Sequence, residues 1–188
     1  MDNDRDVKTW RYHIPSAEDG GWAIVFLDSI GCFSALSDYG HYGFRWPESG
    51  WGKYDFRDFI AGHVANDPGY LLSKIAPNDI FDGEATMAAA RKLILELRRD
   101  KELTMDEARW EWSLLENDFA SGGDFDSEAD FARWLEYTKL GVDHAAEPYL
   151  CARSRRPPRA VAFATRVMPR LRAMILAQLA EDEHEHVR

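Results

Sequence analysis

Apolar positions along the chain change period twice, and the changes mark out its elements. Trp22-Ala23-Ile24-Val25-Phe26-Leu27 is a short apolar run, Asp28-Ser29-Ile30-Gly31 supplies turn chemistry, and Cys32 to Ser37 alternates small and apolar residues. This pattern predicts a β-hairpin. In Asp38 to Pro47 the aromatic residues Tyr42, Phe44 and Trp46 alternate with small or polar ones until Pro47 stops them, which predicts a third antiparallel strand. Residues 1–21, charged and holding Pro15 and Gly20-Gly21, read as a partly mobile lead-in. Glu48 to Tyr54 reads as a loop carrying Trp51.

From Asp55 the period becomes helical. Phe56, Phe59, Ile60 and His63 or Val64 share a face behind an Asp55 N-cap, and a second short helix through Tyr70, Leu71, Leu72 and Ile75 ends before Pro77. Met87, Ala90, Ile94 and Leu97 predict a long helix over about 83–100. Thr104-Met105-Asp106-Glu107 has capping-box form and should start a helix through Trp112, Leu115 and Phe119. Ser127 should cap another, with Phe131, Trp134, Leu135 and Thr138 on one face and Gly141 as its C-cap. Pro157-Pro158 opens a last helix striped by Val161, Ala164, Val167 or Met168, Leu171, Ile175 and Leu179, with a kink at Pro169 and a fraying tail from Glu181. The fold class expected is α+β: a small N-terminal antiparallel sheet of about three strands covered by four to six helices.

Composition adds size and setting. A chain of 188 residues that is 45% hydrophobic and 13% aromatic can bury a core of its own. Cys32 and Cys151 form neither a disulfide framework nor a zinc motif. No apolar stretch approaches a membrane span, and a reducing cytoplasm is the expected setting. The net charge of −10 is unevenly spread. Residues 1–90 and 91–150 each carry −7, whereas residues 151–188 carry +4, with Arg153, Arg155, Arg156, Arg159, Arg166, Arg170 and Arg172 preceding the first acid, Glu181. This division suggests an acidic core domain over 1–150. An arginine-rich segment and C-terminal helix over 151–188 would pack on that core or on a second subunit, as in a homodimer.

Candidate chemistry is sparse. Asp28, Ser37, Asp38, His41, Arg45 and Glu48 fall within one strand-turn-strand region, where a His near a carboxylate is a usable proton carrier. A small enzyme with a site around Asp28, Asp38, His41 and Arg45 is therefore one reading. Asp28 and Asp38 also stand before turn residues, where Asp caps its own backbone, and this structural reading is preferred. Glu183-His184-Glu185-His186 lacks metal-ligand spacing on a helix. No glycine run has the context that cradles phosphate, and no cofactor is called for. The run Arg153 to Arg159 could track a phosphate backbone in a direct nucleic-acid contact. Acids mixed with aromatics at Asp38, Glu48, Trp51, Asp55, Asp58, Asp124 and Asp126 suit docking on a basic partner, with Arg153, Arg155 and Arg156 as secondary contacts.

Trp22 to Asp28, Phe33 to Gly40, Asp55-Phe56-Arg57-Asp58-Phe59, Tyr70-Leu71 and Phe81 to Thr86 together resemble a family of small phage- and prophage-encoded proteins, over roughly the first hundred residues. The resemblance implies a bacterial host cell during infection or lysogeny and assigns no functional residue. In that setting a compact acidic protein without a catalytic motif fits a non-enzymatic inhibitor of a host defence or nucleic-acid-processing complex, of the anti-CRISPR type. The expected partner is a host protein or nucleoprotein complex such as a CRISPR effector.

Overall fold

A computed structural model describes residues 6–18, 20–52, 54–117, 125–140 and 151–186. The fold is α+β, with a four-stranded antiparallel sheet at the N-terminus and helices after it. By mutual contact the chain divides into two compact units, residues 1–78 with 156–188 and residues 79–155. This division cuts the chain at 78/79 and 155/156, not at the 150/151 step that the charge pattern suggests.

In the first unit the strands β1 (Thr9–Ile14), β2 (Ala23–Asp28), β3 (Cys32–Ser37) and β4 (Gly40–Arg45) form a meander in chain order. The lead-in therefore holds a fourth strand. Its signal is the alternation Trp10, Tyr12, Ile14, which places three large side chains inward between exposed Thr9, Arg11 and His13. The same alternation puts Ala23, Val25 and Leu27 of β2 and Phe33 and Ala35 of β3 on the inner face. The β2–β3 turn requires Gly31: its φ is +90°, and a Cβ there would lie 2.3 Å from the Trp46 carbonyl oxygen.

The inner face is covered by α1 (Phe56–Gly62), α2 (Pro68–Ile75) and the C-terminal helical run. That run comprises α6 (Pro158–Ala162), a π turn (Phe163–Val167) and α7 (Met168–His186). Ala164, Val167, Met168, Leu171 and Ile175 are buried there against Trp46, Phe56 and Phe33 in a single core. The helix accommodates Pro169 by widening its bonding over the preceding turn. A proline ring clashes with the carbonyl four residues back, and the π turn ends two residues before Pro169. The tail does not fray from Glu181: α7 extends to His186, and the Asp182 carboxylate meets Arg57 at 2.7 Å.

The second unit is helical, built from α3 (Gly83–Arg99), α4 (Met105–Asn117) and α5 (Glu128–Tyr137). Its own core gathers Met87, Ala90, Ile94, Leu115, Phe131 and Trp134. Thr104 and Glu107 form the reciprocal capping box, with the Thr104 amide donating to Glu107 Oε2 at 2.8 Å and the Glu107 amide donating to Thr104 Oγ1 at 3.3 Å. Ser127 caps α5 by accepting from the Asp130 amide. The chain enters and leaves this unit through a two-residue ladder, β5 (Ile80–Phe81) against β6 (Ser154–Arg155). The expectations at Phe119, Asp124 and Gly141 lie outside the described residues.

Candidate interaction surfaces

Local turn geometry decides the fate of the hairpin set. Asp28 Oδ1 accepts from the amides of Ile30, at 3.0 Å, and Cys32, at 2.8 Å, closing the β2–β3 turn. Asp38 Oδ2 accepts from the Trp22 amide at 3.1 Å. The register pairs Cys32 with Arg45 and Leu36 with His41, so Arg45 stands at the Asp28 end of the strands and His41 at the Asp38 end. Six-residue strands separate these ends by about 17 Å. The four residues do not form one constellation, which removes the enzyme reading built on them. Cys32 has its thiol pushed up by burial and by Asp28, against a smaller opposing pull from Arg45, so it is a poor nucleophile. Among the described residues no group of three His, Cys, Asp or Glu side chains is gathered for a metal ion.

Several acids and aromatics singled out in the sequence do meet at the Asp28 end of the sheet. Glu48 and Arg45, with Asp6 and Ser29, line an open cleft of about 850 Å³. Trp51 and Asp55, with Lys8, Trp10 and Tyr54, line a recess of about 300 Å³. Trp51 is half-buried, its ring 5.3 Å from that of Phe56. Asp55 caps α1 through the Arg57 amide, at 2.8 Å, and pairs with the Arg57 guanidinium at 2.7 Å. Asp58 is exposed on α1, with its carboxyl pushed up by partial burial and by neighbouring Asp55. Trp51 and Asp55 thus hold the fold together as much as they offer a surface.

A side-chain cluster unforeseen from the sequence lies beneath this recess. Arg57 is 3% exposed, sits between the carboxylates of Asp55 and Asp182 at 2.7 Å each, and places its guanidinium carbon 4.7 Å from the Trp10 ring centre. Tyr12 donates its hydroxyl proton to Gln178 Oε1 at 2.6 Å, and burial raises its pKa to about 12. Burial would raise the Asp55 carboxyl too, but its bonds from Arg57 outweigh that and hold it below the ordinary range. The cluster fastens β1, α1 and α7 to one another. Nothing in sequence spacing announces it, because Arg57 and Asp182 are 125 positions apart.

The arginines after Cys151 are largely engaged within the fold. Arg156 Nη1 donates to the carbonyls of Ala76, at 3.2 Å, and Pro77, at 3.0 Å, and Arg155 lies 3.8 Å from Asp82. The Arg153 amide donates to Thr86 Oγ1 at 2.9 Å. Arg170 grips the β1–β2 connection through the carbonyls of Gly21 and Pro15, and Arg172 Nε donates to the Ala61 carbonyl.

The second unit presents a different surface. Its 77 residues hold 18 acidic and 10 basic side chains, a net −8, whereas the first unit carries a net −2. Trp110 on α4 is 62% exposed and Tyr137 on α5 is 67% exposed. The carboxylates of Asp106, one turn before Trp110, and of Asp126, Glu128 and Glu136 around α5 are exposed as well. Glu107 is held down to about 2, first by the Lys139 ammonium at 2.6 Å and then by the Thr104 amide and hydroxyl. Asp126 belongs to this acidic surface, while Asp124 lies outside the described residues.

No curated protein and no solved structure matches the chain. No helix among the described residues is long and apolar enough to cross a membrane. The chain does match a protein family described as a phage family over residues 5–177, a span that takes in both units. On that match it belongs to this phage protein family.

Proposed function

We propose that this phage protein acts by binding rather than by catalysis, and that its second unit docks on a basic surface of a host nucleic-acid-processing or defence complex, such as a CRISPR effector, and inhibits it. The observation that carries the reading is the concentration of −8 in one 77-residue helical unit whose surface also exposes Trp110 and Tyr137. Aromatic side chains supply contact area at low entropic cost, and the carboxylates around them supply steering and register on a cationic partner. A protein that binds nucleic acid is commonly basic on the surface that does so, and carboxylates compete for that surface.

The test is recovery of the tagged protein from a bacterial host carrying an active defence complex, followed by identification of what accompanies it. The reading expects a stoichiometric nucleoprotein partner whose recovery falls steeply as salt is raised and is lost on Trp110→Ala. Recovery of the protein alone contradicts it.

A further inference from the structure

We propose that the outer face of the four-stranded sheet binds single-stranded nucleic acid. Phe26 is 42% exposed and Leu36 39% exposed on the two central strands, and among the described residues no element of the first unit packs over them. The register sets Arg11 directly across from Phe26, and the same row continues through Ser34 to Gly43. Beside the exposed aromatic ring the sheet therefore offers two small positions, where a flat base can lie against the backbone. Over Ser34, Leu36, His41 and Gly43 there is an open groove of about 420 Å³. Arg45, on the far edge strand and two residues beyond the Arg11 row, lies roughly 16 Å from Arg11.

The charge of this face runs against that of the molecule. The outward positions of the strands carry Arg11, His13, His41 and Arg45, and among the described residues neither arginine makes a hydrogen bond or an ion pair. The one acid on the strands, Asp28, has Oδ1 occupied by two amides, and Asp6 and Glu48 line the cleft at the Arg45 end of the sheet. Two uncommitted guanidinium groups flanking an exposed aromatic ring match a chain of phosphates and unstacked bases. An acidic peptide would satisfy the arginines and leave Phe26 and the small-residue row unused.

This inference stands apart from the proposed docking of the second unit. The full-length protein is titrated into short fluorescein-labelled oligo-thymidine and oligo-uridine, with anisotropy as the readout. Expected are saturable binding, affinity that falls with salt at about 0.7 in log K per log salt for each phosphate met by an arginine, a ten-fold or larger loss for Arg11→Glu with Arg45→Glu, and a loss of similar size for Phe26→Ala, since base stacking on an aromatic contributes that much. All three side chains are exposed, and thermal unfolding checks that each variant folds. Absence of binding overturns the proposal. So does binding insensitive to Arg11→Glu with Arg45→Glu but abolished by Arg155→Glu with Arg156→Glu. Equal competition by poly-glutamate, with no effect of Phe26→Ala, also overturns it and assigns the face to an acidic protein.

Discussion

The residue that most tightens the first unit is Arg57. Its side chain is almost wholly buried, and its charge is tolerated because two carboxylates and the Trp10 ring face it. Arg57→Leu leaves Asp55 and Asp182 without their counter-ion, and because both keep some water the expected loss is about 2 to 3 kcal/mol in urea unfolding. The pH dependence has a definite sign. Asp55 has a folded pKa below its unfolded value, so its stabilising contribution is complete above the ordinary carboxylate range, near pH 4, and is lost as pH falls through the depressed value. Tyr12 works at the other end: its pKa of about 12 exceeds the ordinary phenol value of about 10, so its contribution is complete below the ordinary value and disappears as pH rises through 12. Stability measured against pH should therefore fall at high alkalinity in the wild type, and Tyr12→Phe should flatten that fall.

At the scale of elements, turn and cap chemistry fixes where each begins. Gly31→Ala places a Cβ against the Trp46 carbonyl at a positive φ and should cost about 2 kcal/mol. Thr104→Ala removes half of the α4 capping box and should cost about 1 kcal/mol, read as a lowered urea midpoint at unchanged slope. Both features are legible in the sequence, as are the β2–β3 hairpin, β4 and α1 to α5, because each rests on a local period or a short-range cap. The strand β1 carries the same period-2 signal in Trp10, Tyr12 and Ile14, but surrounding charge, Pro15 and the glycine pair conceal it. The π turn before Pro169 is not legible, since the sequence marks where strain arises and not which turn absorbs it. The Arg57 cluster and the two-unit division depend on pairings far apart in the chain, Arg57 with Asp182 and Ile80 with Arg155, which no periodicity encodes. The acidic surface is half legible: Asp126 was visible as a charge, whereas exposure of Trp110 and Tyr137 follows only from knowing which helix faces are buried.

At the scale of the whole molecule, charge and core are partitioned together. The unit of residues 79–155 has its own core and carries most of the negative charge, and its two ends meet in the β5–β6 ladder. Arg156, bonded to the carbonyls of Ala76 and Pro77, holds the corresponding ends of the first unit side by side. Joining residues 78 and 156 through a short glycine linker should thus leave the first unit folded, with one cooperative thermal transition and the far-ultraviolet signature of sheet plus helix; loss of cooperative unfolding would contradict this modular account. The proposed binding to a basic host complex belongs to the unit that such a deletion removes. The most direct test is to compare recovery of the host partner by the full chain, by the chain lacking 79–155, and by the full chain carrying Asp106→Lys with Glu136→Lys, across a series of salt concentrations. The account predicts that, after nuclease treatment, the full chain alone retains the partner at low salt and releases it at high salt, and that both variants fold yet recover none of the partner's protein. Equal recovery by all three, or recovery that does not change with salt, would contradict it.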